Sequence, residues 1–197
     1  MSFLLGLTGS IGMGKSTTAQ MFVDEGCALW DADAAVHRIY AANGAAVQPL
    51  GAVFPQAIRA GAVDRAVLKE IISNDPSALR KIESVVHPLV AEDRRQFRAD
   101  ATEDILVFDI PLLFETGGDA GMDAVACVSV PPEIQMARVL DRGTMTQDQF
   151  EMIRAKQMPD AEKRARSDFV IITDTLDHAR TQVQAIVAHI RREQNHA

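Results

Sequence analysis

An α/β fold, built on a five-stranded parallel sheet with helices on both faces, is what this sequence predicts, and three observations predict it. Short apolar runs of strand length alternate with helical segments along the chain, the pattern of parallel strands joined by helical crossovers. The first run leads straight into Gly9-Ser10-Ile11-Gly12-Met13-Gly14-Lys15-Ser16, a G-x-x-x-x-G-K-[ST] loop set between a strand and a helix. The long stretch between the second and third strands lacks strand character. A chain of 197 residues has room for one core with one or two inserted subdomains, not for two full-sized domains.

Taken in order, Phe3-Leu4-Leu5-Gly6-Leu7-Thr8 reads as a buried strand, and residues 16–25 read as a helix closed by Gly26. Residues 27–31 form a short second strand that ends in Asp31-Ala32-Asp33 and opens a helix over 34–40. From 41 to about 62 the chain is expected to be irregular, with Asn43, Gly44, Pro49, Gly51, Pro55 and Gly61. A helix follows over 64–73, and Asn74-Asp75-Pro76 starts another that runs to Val86. His87-Pro88 is expected to break it and begin a further helix over 89–101. Residues 105–110 and 124–130 are apolar strands, joined by the unusually apolar loop Pro111-Leu112-Leu113-Phe114-Glu115. Helices over 132–141 and 147–157 flank Arg142-Gly143-Thr144, and the strand 168–172 precedes an amphipathic helix over 176–192. The core is therefore expected at about 1–31, 104–137 and 167–197, with a long helical insertion between its second and third strands and a smaller insertion before the last.

Strand, glycine loop and helix start aim several backbone N–H groups at one point, and the positive end of the helix dipole adds to their pull on an anion. A polyphosphate carries enough charge to use them. Gly9, Gly12, Met13, Gly14, Lys15, Ser16 and Thr17 are the expected nucleotide contacts. Lys15 supplies a mobile cation for the outer phosphates, and the Ser16 hydroxyl can ligate Mg²⁺. ATP and Mg²⁺ are the expected cofactors.

Composition narrows the partners. The chain carries a net charge of −7 and a pI near 5.2, which argues against a surface that coats nucleic acid. No apolar run reaches membrane-spanning length, and the opening residues spend their hydrophobicity on the first strand rather than on a leader. A cytoplasmic protein acting on small molecules is expected, as a monomer or weak homo-oligomer. Cys27 and Cys127, the only cysteines, fall in strands, where buried thiols pack as small hydrophobes. No Cys and His spacing suggests zinc. Trp30 and Tyr40 read as packing residues.

Many nucleotide-binding classes share such a loop. A GTPase needs an Asn-Lys-x-Asp motif after a later strand, and none occurs. A small-molecule kinase needs an acid near the phosphates and an arginine-bearing lid. Asp31 and Asp33 stand at the carboxyl end of a strand, where ligands bind in open α/β sheets. One is expected to orient an attacking hydroxyl and the other to be structural; capping of the following helix fits Asp33 as well as catalysis does. Arg138 and Arg142, four apart, share one helical face, with Arg154, Lys156, Lys163, Arg164 and Arg166 beyond. Planar guanidiniums suit the charge of a transferring phosphoryl group, although a solvated helix face would carry the same residues. Asp109 occupies the strand-end position of an acid that reaches Mg²⁺ through water.

Several separated motifs make the resemblance specific. The residues 6–17, Asp31-Ala32-Asp33, His87-Pro88, Pro111-Leu112-Leu113-Phe114-Glu115, the pair Arg138 and Arg142, and Arg154-x-x-Gln157-Met158 before Lys163-Arg164 occur in this order. In these the chain resembles the dephospho-coenzyme A kinases over nearly its whole length. The resemblance implies a nucleoside-monophosphate-kinase-like core, an acceptor-binding domain for dephospho-coenzyme A between about residues 32 and 103, a lid near residues 138–166, and transfer of phosphate from ATP to the ribose 3′-hydroxyl of dephospho-coenzyme A, the last step of coenzyme A synthesis. It implies Asp33 as the base, Lys15, Arg142 and Arg138 as the other catalytic groups, and acceptor contacts at Thr8, Asp33, His87 and Leu112. Two departures stand out. Residues 172–176 are one residue shorter than the family pattern, so no purine contact is carried over to them; Ser10 replaces a glycine, which requires a negative φ there. Two rival classes share the loop: a kinase of another small acceptor, and a non-catalytic nucleotide switch.

Overall fold

The structure, a computed structural model, describes residues 2–195. Five strands form one sheet in the order β2-β5-β1-β6-β7: β1 (Phe3–Thr8), β2 (Ala28–Asp31), β5 (Ile105–Asp109), β6 (Ala124–Ser129) and β7 (Phe169–Ile172). The pairings of β1 with β5, β1 with β6, and β6 with β7 are parallel, with Leu5 opposite both Val107 and Ala124. The sheet is the expected one. β1 is central because its Leu5 and Leu7 have no exposed face, as a strand covered on both sides demands.

Alternation along the strands sorts side chains onto two faces. Leu5, Leu7, Val107, Ala126 and Val128 pack with Phe22 of α1 (Lys15–Asp24) and with Val183, Ile186 and Ile190 of α9 (Leu176–Gln194). On the opposite face Val125 meets Leu113 and Phe114, so the apolar Pro-Leu-Leu-Phe loop plugs the sheet rather than facing solvent. Leu112 alone turns outward, at 41 % exposure. Three further helices belong to this unit: α6 (Pro132–Asp141), α7 (Gln147–Arg154) and α8 (Asp160–Arg166). Trp30 stacks obliquely on Phe108, ring centroids 6.0 Å apart, and both cysteines are buried. Burial pushes their thiols up, Cys27 to about 11 and Cys127 to about 12, so both stay protonated and pack as expected.

Residues 31–100 form a second unit with a core of its own. It contains α2 (Ala32–Tyr40), α3 (Val47–Val53), α4 (Arg65–Asn74), α5 (Ala78–Asp100) and the hairpin β3 (Ile58–Arg59) and β4 (Ala62–Val63). Two expectations fail here. The stretch 41–62 is ordered: α3 forms despite Pro49 and Gly51, and Ala60 and Gly61 turn the hairpin at φ 47° and 75°, a two-residue turn that matches strand twist. Too few residues repeat for a periodic signal, and Leu50, Phe54 and Ala57 are held by tertiary burial. α5 also runs unbroken through Pro88. Proline costs an interior helix about 3 kcal/mol, but Ile82 and Val86 pack on one side of it and Asp93 beyond it grips Arg38 of α2 through two bonds of 3.0 and 2.5 Å. Packing on both sides outweighs the local break.

Candidate active site

The phosphate loop is shaped by glycines that could be nothing else. A Cβ on Gly9 would stand 2.2 Å from Val128 Cγ2, and one on Gly12, at φ 79°, 2.5 Å from Val139 Cγ2. Ser10 avoids positive φ, as its replacement of a glycine requires. Gly14 starts α1 in the left-handed conformation, with no side-chain cap and no acid in the first turn. The opening amides and the dipole of α1 therefore face outward uncompensated by the protein's own side chains, the condition for anion binding. Ser16 and Thr17 are exposed at this opening, whereas the Met13 side chain is buried in the core, so Met13 can contribute to a ligand only through its backbone.

Three side chains hold the loop from behind. Gln157 Oε1 accepts from the Ile11 N–H at 3.1 Å, Gln135 Nε2 donates to the Ile11 carbonyl at 2.7 Å, and Thr173 Oγ1 donates to the Met13 carbonyl at 2.6 Å. Gln135 is a buried polar residue on the apolar stripe of α6 beside Val139, a signal the sequence carried without its role being read. Gln157 was legible as a motif residue only. The helix expected to run to 157 stops at Arg154, and that stop leaves Gln157 in a turn from which its amide reaches the loop.

Lys15 forms an ion pair with Asp109 Oδ1 at the end of β5; the two side chains are 15 % and 1 % exposed. Among the described residues no cluster of three or more His, Cys, Asp or Glu is arranged to hold a metal ion. An Mg²⁺ carried on substrate phosphates needs only one or two protein oxygens, and the exposed Ser16 hydroxyl and the Asp109 carboxylate paired with Lys15 are donors of that kind.

Arg138 and Arg142 line a cavity of about 350 Å³ together with Gly14, Thr17, Thr173 and Thr175. The i,i+4 spacing does bring them to one place. Arg138 is not free there: it donates to Thr173 Oγ1 at 3.1 Å and to the Thr173 carbonyl at 2.5 Å. The segment after β7 is thus built onto the loop through Thr173, while Arg142 at the end of α6 is exposed.

Lys163 corrects the expectation of a mobile basic segment. Its side chain is 0 % exposed, pairing with Glu115 Oε1 at 3.0 Å and donating to the Pro111 carbonyl at 2.9 Å. Glu115 Oε1 also accepts from the Met158 N–H at 2.8 Å. Burial raises the Glu115 pKa, but that N–H and the Lys163 ammonium outweigh burial and hold the carboxyl below its ordinary value. Thr8 joins the same knot, its hydroxyl donating to the Pro111 carbonyl at 3.1 Å. Arg166 is tied down too, by Asp119 at 3.2 Å and by the Phe114 ring.

In the 31–100 unit the two acids separate by role. Helix α2 begins at Ala32, two residues earlier than expected, and Asp31 is its cap, Oδ1 accepting from the Ala34 N–H at 2.8 Å. Asp33 is left in the first turn, exposed, with no hydrogen bond or ion pair to any described residue. His87 is exposed on α5 rather than at a helix boundary.

The geometry describes an ATP-type loop without choosing an acceptor. A sequence model of one family, described as dephospho-CoA kinase, matches residues 3–178. The chain belongs to the dephospho-CoA kinase family. It is 74 % identical over 197 residues to the dephospho-CoA kinase of Ruegeria pomeroyi, covering all of both chains, and 58 % identical over 189 residues to that of Cereibacter sphaeroides, covering 96 % of each. Among solved structures, TT1252 from Thermus thermophilus superposes with a TM-score of 0.84 at 30 % identity, covering 95 % of this chain and 97 % of that one. The dephospho-CoA kinase from Campylobacter jejuni (TM-score 0.73, 24 % identity, 98 % and 100 % covered) and a shikimate kinase from Acinetobacter baumannii (0.55, 17 %, 98 % and 95 %) share its fold. A dephospho-CoA kinase uses ATP, and the uncapped start of α1 is the feature of this chain suited to it. No helix among the described residues is long and apolar enough to cross a membrane.

Proposed function

We propose that the chain phosphorylates the ribose 3′-hydroxyl of dephospho-coenzyme A with ATP, giving coenzyme A and ADP. The observation that carries this reading is the family match over residues 3–178, which spans the phosphate loop, the Asp-x-Asp pair, the Pro-Leu-Leu-Phe-Glu loop and the Arg-x-x-Gln turn. The loop from Gly9 to Thr17 holds the triphosphate through backbone amides. Lys15 leaves Asp109 for the outer phosphates, trading one anion for another at little electrostatic cost. The Ser16 hydroxyl and the Asp109 carboxylate are the oxygens that would hold Mg²⁺, which when bound neutralises charge on the β- and γ-phosphates.

Asp33 acts on the acceptor. Its carboxylate takes the proton of the 3′-hydroxyl as that oxygen bonds to the γ-phosphorus and the bond to the β-phosphate oxygen breaks, with ADP leaving. Because Asp31 does the capping, Asp33 is at liberty to do this. Arg142 and Arg138 meet the charge spread over the transferring oxygens, the exposed Arg142 with more freedom than its partner. Residues 138–166 serve as lid, with motion confined to the part not anchored by Lys163. Thr8, His87 and Leu112 are acceptor contacts in this reading, Thr8 only through the free lone pairs of its hydroxyl. We place the enzyme in the cytoplasm, acting alone or as a weak homo-oligomer.

A panel of acceptors tests the reading. With ATP supplied, ADP release is expected with dephospho-coenzyme A and not with shikimate or nucleoside monophosphates at equal concentration. ADP release matched to another acceptor, without coenzyme A formed, would contradict it.

A further inference from the structure

In the proposed reaction Arg138 and Arg142 both serve the transferring phosphoryl group, yet the structure holds them differently. Arg142 is exposed at the end of α6, beside Gly143 at φ 62°. Arg138 is half-buried. Its Nη1 donates to Thr173 Oγ1 at 3.1 Å, and its Nη2 donates to the Thr173 carbonyl at 2.5 Å and, more loosely, to the Asp174 carbonyl at 3.5 Å. These acceptors are neutral oxygens. They fix the guanidinium and leave its charge uncancelled by them.

Thr173 is itself fixed. Its N–H donates to the carbonyl of Ser129, the last residue of β6, at 3.0 Å, so its place is set by the sheet. Its buried hydroxyl has one proton and two lone pairs. The proton goes to the Met13 carbonyl at 2.6 Å, and a lone pair takes Arg138 Nη1. One hydroxyl thus joins the phosphate loop to the arginine. Both lie against the start of α1: a Cβ built on Gly14 would stand 3.2 Å from Thr173 Oγ1 and 3.6 Å from Arg138 Nη1. The surrounding turn of α6 is clamped as well. Gln135, Arg138 and Val139, at i, i+3 and i+4, share one helical face; Gln135 is bonded to the Ile11 carbonyl, and Val139 fills the space over Gly12.

We infer that Thr173 is a positioning residue for phosphoryl transfer, its hydroxyl and carbonyl holding the Arg138 guanidinium beside the opening amides of α1 before the nucleotide arrives. The inference rests on Arg138 serving the transferring group, as in the proposed function. A guanidinium already in place loses no further side-chain freedom when charge develops beside it. Closure of the lid then carries Arg142 and leaves Arg138 where it is. The alternative is a Thr173 that only knits the segment after β7 to the loop, acting on the site without Arg138.

Thr173→Val keeps the shape and removes the hydroxyl, Thr173→Ala removes it with less bulk should valine not fold, and Thr173→Ser keeps it. Single-turnover formation of coenzyme A should be about tenfold slower in Thr173→Val, with KM for dephospho-coenzyme A unchanged. Thr173→Ser should stay within about twofold of the wild type. A double-mutant cycle decides between the two roles. In an Arg138→Ala background, itself slower than the wild type, Thr173→Val should cost less than about twofold more, since the hydroxyl has nothing left to hold. Melting curves check that each variant is folded. A tenfold loss repeated in the Arg138→Ala background, Thr173→Ser as slow as Thr173→Val, or a wild-type rate in folded Thr173→Val overturns the inference. Failure of the proposed function looks different: the wild type would then form no coenzyme A, and the inference would fall with it.

Discussion

Gln157 shows how much of the site is carried by residues that touch no substrate. It accepts from the N–H of Ile11 while Gln135 donates to the carbonyl of the same residue, so both backbone groups at the crown of the loop are fixed before a nucleotide arrives. Preorganised amides cost nothing to reorient when charge is bound. Gln157→Ala leaves the Ile11 N–H without its protein acceptor, a loss of about 1 kcal/mol. Initial rates should show KM for ATP raised about fivefold with the melting temperature nearly unchanged; an unaltered KM would mean the loop keeps its shape unaided. The sequence showed Gln157 as a motif residue and Gln135 only as a polar residue on an apolar stripe, because a glutamine's role depends on a partner over a hundred residues away. Asp31 and Asp33 present the opposite case. Their spacing allowed either to cap, and a shift of two residues in where α2 begins decided it.

Among the elements, those with a long period were legible and those held by tertiary contact were not. All five strands of the sheet, α1 and α9 follow directly from apolar runs, the glycine loop and an amphipathic pattern. The hairpin β3–β4 and α3 were invisible, since two-residue strands and a seven-residue helix with an internal proline carry no periodic signal. Helix α5 was visible but cut at Pro88, where the local rule is sound and packing overrides it. The override has a testable cost. Pro88 gives no N–H to the carbonyl of Ser84, so Pro88→Ala should stabilise the protein by about 1–3 kcal/mol in urea denaturation. No gain would mean that α5 is not strained at that position.

At the scale of the whole molecule, the unit formed by the two terminal stretches is tied together by one buried charge. Lys163 pairs with Glu115 beneath the Pro-Leu-Leu-Phe loop, and Glu115 also receives the Met158 N–H beside Gln157. Leu113 and Phe114 of that loop are buried while Leu112 is exposed, which its apolar composition alone did not sort, and a fully buried lysine in a basic run reads in sequence as one more surface cation. Because Glu115 titrates below its ordinary 4.5 when folded, its contribution is complete above that value and is lost as pH falls through the lower, folded one. Unfolding free energy measured between pH 6 and pH 3 should therefore fall less steeply in Glu115→Gln than in the wild type. Glu115→Gln should also be less stable at pH 7 by about 3 kcal/mol, since Lys163 is left buried without its anion. Parallel curves would show that the pair contributes nothing to acid sensitivity.

The account divides labour between a loop that holds ATP and an acid that acts on the acceptor. The single-turnover rate of Asp33→Asn, with ATP and dephospho-coenzyme A both saturating, tests that division most directly. The account predicts a rate lower by about 10²–10⁴ while ATP binds as tightly as to the wild type. A rate near that of the wild type, or a matching loss of ATP affinity, would contradict it.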